Sequence, residues 1–237
     1  MKTKIYLIDN YSKYYFSERI DRLKWIISSW FPELKSEIVH YSNLNVENVK
    51  DSMGFILSGS NLNVSEFSFN VALRNQFQEE INLITSLKNT PLLGICFGHH
   101  LISYAFNIKV ERMSNLSNNF GIIQISLKMK DELINFKNIF VDVHHRDYIS
   151  PNDPLLEKNF EILSLARRNG HIIVQYMKHL NRPIYSVQFH PETHFTTCAY
   201  DKSKNKRFSQ CAKNIGESII RNFIKICLNA NDSKNKI

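Results

Sequence analysis

Long apolar runs are missing from this sequence. No segment reaches the roughly 18 consecutive apolar residues that a membrane-spanning helix needs, so no such helix and no membrane partner is expected. The short apolar run after Met1-Lys2-Thr3-Lys4 stops at Asp9, too early for a secretory signal, and reads as a strand. Cysteine is scarce as well. Only four occur, at positions 96, 198, 211 and 227, and none forms a C-x-x-C pair. This excludes a disulfide-stapled scaffold and points to a reducing, cytoplasmic setting. Acidic residues are in the minority, 22 against 30 lysines and arginines, for a net charge of +8. The basic residues are spread along the chain apart from a cluster at Lys202, Lys204, Lys206 and Arg207. No RNA-binding signature or zinc-finger spacing accompanies that cluster, so a soluble basic surface is expected, without nucleic acid as a partner. The seven glycines and six prolines gather in no linker, and no repeat is visible. One domain is therefore expected over residues 1–230, followed by a polar tail at 231–237.

What is present is an alternation of strand-like and helix-like segments. Residues 5–8 form a continuous apolar run, as in a strand covered on both faces. Residues 16–30 carry Phe16, Ile20, Leu23, Ile27 and Trp30 at helical spacing, and Pro32 ends the pattern. Strands are expected at 37–41, 53–57 and 91–95, and helices at 67–87, 97–106 and 211–228. Five short strands, at 122–127, 138–143, 160–166, 172–177 and 184–189, follow one another with few helical residues between them. The pattern predicts an α/β fold with a mostly parallel central sheet flanked by helices, and a small antiparallel flank built from the second half.

Two motifs carry chemistry. Gly94-Ile95-Cys96-Phe97-Gly98 has the form G-x-C-x-G and lies between an apolar strand and a helix. A sharp strand-to-helix turn holds a nucleophile in strained backbone angles above the sheet, and flanking glycines remove the Cβ atoms that would clash. The N-terminus of the next helix favours a thiolate, and the Phe97 N–H can face an oxyanion. A buried structural cysteine gives the same local pattern. The second motif, Val187-Gln188-Phe189-His190-Pro191-Glu192, ends another expected strand. Imidazole can take a proton from a thiol and return it to a leaving group, and Glu192 is placed to fix the ring. A strand-end histidine beside a solvated glutamate is the bland alternative. His190, Glu192 and His194 also form H-x-E-x-H, but Pro191 is incompatible with the regular helix of a metal-binding H-E-x-x-H. No metal and no cofactor is called for.

Together, Gly94-Ile95-Cys96-Phe97-Gly98-His99 and Gln188-Phe189-His190-Pro191-Glu192 resemble the class I (triad) glutamine amidotransferases, from Ile5 to about Cys227. The segment 55–60 is similar to the family loop that usually reads S-G-G-P or P-G-G-P, and 143–147 to the loop that often reads S-H-G-D. The closing segment 216–227 resembles the last helix of the glutaminase domain of GMP synthetase. The resemblance implies a flavodoxin-like fold. It implies that Cys96 attacks the side-chain amide of glutamine, His190 moves the proton and Glu192 orients the ring. It further implies an oxyanion site at Gly59, Ser60 and Phe97, and substrate contacts from His100, His145, Arg146 and Asp147. In such families the ammonia passes to a synthase. The 237 residues leave no room for one, so a separate synthase partner, or a stand-alone hydrolase of a larger γ-glutamyl compound, is expected. Three departures bear on that choice. His100 stands where the family carries glutamine, Ser60-Asn61 stands where it carries Gly-Pro, and Arg146 stands where many members carry glycine. An additional polar stretch at 195–209 is expected to be a loop, a cover for the site or a partner contact.

Overall fold

A computed structural model describes residues 4–12, 18–114, 120–193 and 206–234 of the chain. In chain order the elements are β1 (Lys4–Asp9), α1 (Glu18–Trp30), β2 (Lys35–His40), β3 (Ser52–Leu57), α2 (Val71–Gln76), α3 (Gln78–Ser86), β4 (Leu92–Ile95), α4 (Phe97–Ala105), β5 (Val110–Arg112), β6 (Phe120–Leu127), β7 (Asn138–His144), β8 (Asp147–Ile149), α5 (Leu156–Asn159), β9 (Phe160–Arg168), β10 (His171–His179), β11 (Ile184–Val187) and α6 (Lys206–Lys234). The main sheet has nine strands in the order β2-β1-β3-β4-β11-β10-β9-β6-β7. The first five run parallel, the remainder antiparallel. A separate pair, β5 with β8, forms the second, antiparallel sheet.

The central strands are apolar on both faces because each face covers a different core. Side chains alternate along a strand. Ile5, Leu7, Ile56, Leu93, Ile95, Tyr185 and Val187 therefore point to one side, against Ile20, Leu23 and Ile27 of α1 and Ile220, Phe223 and Ile224 of α6. Tyr6, Ile8, Phe55, Leu57, Leu92 and Ile184 point to the other, against Leu83 and Ile84 of α3 and Leu101 and Ile102 of α4. The continuous apolar reading of the parallel strands and the helical spacing of α1 are both explained by this three-layer packing.

Three expectations are revised. Residues 184–189 were expected in the antiparallel flank, yet β11 runs parallel to β4, with Ile184 opposite Leu92 and Val187 opposite Ile95. Its four residues are all buried, as a strand inserted into the middle of a sheet must be. The helical stretch expected at 67–87 is broken into a 3-10 turn (Val64–Ser68), α2 and α3. The break falls at Phe77, whose ring is fully buried and stacks on Tyr41 at 4.3 Å and against Phe97 at 4.9 Å. The last helix is longer than 211–228 and runs from Lys206 to Lys234, so residues 231–234 continue it. Most of the polar stretch 195–209, including Lys202 and Lys204, lies outside the described residues.

Candidate active site

The cysteine and histidine motifs sit at the ends of adjacent parallel strands. Ile95 and Val187 are register partners, and the Cys96 N–H donates to the Val187 carbonyl at 2.9 Å. At Cys96 the chain turns through φ 50°, ψ −96°, a region that costs a non-glycine residue on the order of 1–3 kcal/mol. α4 starts at once, and the His100 N–H closes its first turn on the Cys96 carbonyl at 3.1 Å. The turn needs glycine beside it. A Cβ on Gly98 would stand 2.6 Å from the Leu57 carbonyl oxygen, and one on Gly94 2.7 Å from the Gly98 oxygen. The strained elbow expected from G-x-C-x-G is therefore present.

Cys96 Sγ lies 3.6 Å from the His144 carbonyl oxygen, and His190 Nε2 lies 3.4 Å from the same oxygen. The thiol and the imidazole thus share one neighbour and interact with each other. On its far side His190 Nδ1 bonds Glu192 Oε1 at 2.7 Å, with both residues buried. Burial and the Arg19 charge oppose a proton on His190. The Glu192 carboxylate and the Cys96 sulfur outweigh them and push the imidazole up to about 10. Burial would likewise raise Glu192, but the His190 and Arg19 charges hold it below the ordinary carboxylate range. The buried carboxylate therefore favours a proton on the His190 ring, with Nδ1–H donating to Glu192.

A second layer, not foreseen from the sequence, locks this pair. Arg19 of α1 is buried and reaches Asp142 Oδ2 at 3.1 Å and Glu192 Oε1 at 3.8 Å. Thr193 Oγ1 bonds Asp142 Oδ2 at 3.2 Å and the His190 carbonyl at 2.5 Å. The His190 N–H donates to the Asp142 carbonyl at 2.8 Å. The signal for Arg19 was its position one turn before Leu23 and two before Ile26, on the buried face of α1.

The loop after β3 closes the opposite side. A Cβ on Gly59 would stand 2.8 Å from His190 Cε1, so this glycine lies against the imidazole edge. Ser58 accepts the Gly98 N–H on its carbonyl at 3.2 Å, which ties the loop to the start of α4. Ser60 Oγ donates to the Asn10 carbonyl at 2.5 Å. Loop 58–60, Phe97 and the cysteine are thereby brought together.

The other nominated residues divide. His100 is buried, and its Nε2 bonds Gln188 Oε1 at 2.8 Å, while Gln188 Nε2 lies 4.0 Å from Cys96 Sγ. Burial lowers the His100 imidazole, and the neutral ring fixes the Gln188 amide with its NH2 toward the sulfur. His145 is buried, and its Nδ1–H donates to the Asp147 carbonyl at 2.9 Å; burial, with His100 nearby, pushes the imidazole down to about 3. The Asp147 carboxylate accepts from the Ser65 N–H at 2.8 Å and from Ser65 Oγ at 2.7 Å. Arg146 is exposed. His194 lies outside the described residues.

The matching family model is that of the class I glutamine amidotransferases, which covers residues 7–208, and the chain belongs to this family. Within it, the chain is similar to glutamine-hydrolyzing GMP synthase subunits. It is 33% identical to that of Pyrococcus abyssi over 59% of this chain and 61% of that protein. It is 30% identical to that of Methanococcus aeolicus over 77% of this chain and 78% of that protein. Among solved structures, a glutamine amidotransferase from Thermotoga maritima superposes with a TM-score of 0.70 at 14% identity, over 96% of this chain and 99% of that one. The α/β fold expected from the sequence, mostly parallel with an antiparallel flank, is the fold found.

Proposed function

We propose that the chain is a Cys-His-Glu amidohydrolase that releases ammonia from the γ-amide of glutamine for a separate synthase partner. The carrying observation is a cysteine at positive φ, beside an imidazole ring that is bonded to a buried carboxylate at 2.7 Å. In this reading the Cys96 sulfur, as thiolate, attacks the amide carbon, and the oxygen takes the negative charge. Backbone N–H groups of Gly59, Ser60 and Phe97 stabilise that oxygen. His190 gives its proton to the nitrogen, the C–N bond breaks, and ammonia leaves a γ-glutamyl thioester. His190 then takes a proton from water, the hydroxide attacks the thioester, and glutamate departs as the thiolate is restored. The likeness to the GMP synthase proteins supports a synthase as acceptor. The protein is assayed for glutamate release with and without the synthase partner from the same genome, and labelled with a glutamine-like diazo ketone. Label on wild type but not on Cys96→Ala, and turnover raised by the partner, are expected. No label and no glutamate under either condition refutes the reading.

A second reading, hydrolysis of a γ-glutamyl conjugate with a larger leaving group, is favoured by a specific feature. His144, whose carbonyl touches the sulfur, has an exposed ring packed against exposed Phe120 at 4.5 Å, and the next exposed side chain is the cation Arg146. These three groups suit an extended and anionic leaving group. A panel of γ-glutamyl amides and peptides tests this; turnover no better than that of glutamine removes it.

A further inference from the structure

Behind the 58–60 loop lies a carboxyl group that the chemistry above does not use. Glu80, on α3, is 1% exposed, and its bonded partner is Asn10, whose Nδ2 donates to Oε1 at 3.1 Å. Asn10 follows β1 and is fully buried. It is the hub of the loop: its N–H donates to Ser58 Oγ at 2.9 Å, its Nδ2 to the Ser58 carbonyl at 3.3 Å, and its carbonyl accepts from Ser60 Oγ at 2.5 Å. Two buried atoms of this pair, Glu80 Oε2 and Asn10 Oδ1, have no hydrogen-bond partner among the described residues. With Glu80 ionised, both are acceptors in an apolar layer, an arrangement that costs several kcal/mol. A proton on Oε2 turns that atom from a second acceptor into a donor, for which Asn10 Oδ1 is the unpartnered acceptor of the same pair.

We propose that Glu80 is held as a neutral acid in a two-bond pair with the Asn10 amide, and that this pair is the positioning device for the loop carrying Gly59 and Ser60. The reading rests on the function proposed for that loop, while the pair itself is independent of it. The titratable groups on the elements around it are engaged elsewhere. On β1 Asp9 accepts from the Tyr11 N–H, and at the end of β2 His40 bonds Ser42 and the Tyr11 carbonyl. Tyr41 bonds Gln76 beside α3, and Glu79 accepts from the Val46 N–H. On α4 His99 bonds Ser186 and His100 bonds Gln188. Burial, opposed only by the Asn10 hydrogen bond, raises the Glu80 carboxyl to about 8.

A carboxyl raised on folding is protonated in the native chain while the unfolded chain loses its proton above about 4.5. Its stabilising proton is therefore fully present below that value and lost as pH rises through about 8. Glu80→Gln reproduces the neutral pair and removes the titration. The ratio of its folding constant to that of wild type is expected to rise with pH by up to about tenfold per unit between those two values and to level off above them. In infrared difference spectra at pH 6, wild type shows the carbonyl stretch of a protonated carboxylic acid that Glu80→Gln lacks. Amide exchange at residues 58–60 is expected to speed up in Asn10→Ala and stay at the wild-type rate in Glu80→Gln below pH 7. None of these readouts needs turnover, so a failed glutaminase assay leaves them interpretable. Where turnover is found, Glu80→Gln is expected to hold its kcat to higher pH than wild type, with KM little changed. Absence of the infrared band, or a Glu80→Gln variant that loses stability relative to wild type as pH rises, overturns the proposal.

Discussion

Gly216→Ala tests how the closing helix governs the site. Gly216 lies in α6, where alanine is normally the better residue by about 1 kcal/mol. Here a Cβ would stand 2.0 Å from the Pro191 carbonyl oxygen and 2.7 Å from its carbon. Pro191 sits between His190 and Glu192 in a turn held by Thr193 and Asp142, so neither side yields freely. Relief therefore moves α6 or the turn by about 1 Å. Overpacking against backbone belongs at the upper end of about 3 kcal/mol, and the helix-propensity gain offsets about 1. The net loss is about 2 kcal/mol, or a fall in Tm of roughly 4–8 °C for a chain of this size. Because the displaced peptide carries both His190 and Glu192, kcat for glutamate release is expected to drop about 100-fold, as for a reacting group misplaced by about 1 Å. Differential scanning fluorimetry and initial rates read the two effects. A Gly216→Ala protein as stable as wild type with unchanged kcat would refute the idea that α6 packs directly on the catalytic turn.

Three other outcomes follow from the same geometry. Cys96→Gly removes the side chain from a backbone at φ 50° and is expected to lose all hydrolysis while its Tm falls no lower than that of wild type. Glu192→Gln takes the charge from behind His190; kcat is expected to fall about 10²–10⁴-fold with the fold intact by circular dichroism. Arg19→Met leaves Asp142 and Glu192 buried without their shared cation, and denaturant unfolding is expected to show a loss of about 3–5 kcal/mol.

Much of the fold could be read from the sequence because the parallel strands are covered on both sides. Residues 5–8, 53–57 and 91–95 are continuous apolar runs for that reason. The elbow was legible because its steric demand is local: Gly94, Cys96 and Gly98 lie within five residues. The direction of β11 was not, because parallel and antiparallel pairing both accept a short apolar strand, and the choice depends on which neighbour it meets. β5 and β8, three residues each, are too short to show a period. Arg19, Asp142 and Thr193 were missed because their roles come from contacts across the chain; Arg19 and Asp142 are 123 residues apart. The same holds for Glu80 and Asn10, 70 residues apart, which look in the sequence like an ordinary helix-surface glutamate and a turn asparagine.

The adjacency of β4 and β11 also shapes what variation this protein can tolerate. Gln188 and Cys96 are 92 residues apart along the chain, yet their strands are hydrogen-bonded neighbours. Everything between them is chain inserted at one seam, and its strands β6, β7, β9 and β10 extend the same sheet beyond β11. From that inserted chain the backbone oxygen of His144 reaches both the sulfur and the imidazole. A peptide oxygen is supplied by any residue type, so the exposed side chain of His144 is free to diverge, whereas Asp142 is held by Arg19 and Thr193. On the proposed function, exposed positions such as Phe120 and Arg146 can change the leaving-group preference without disturbing that seam.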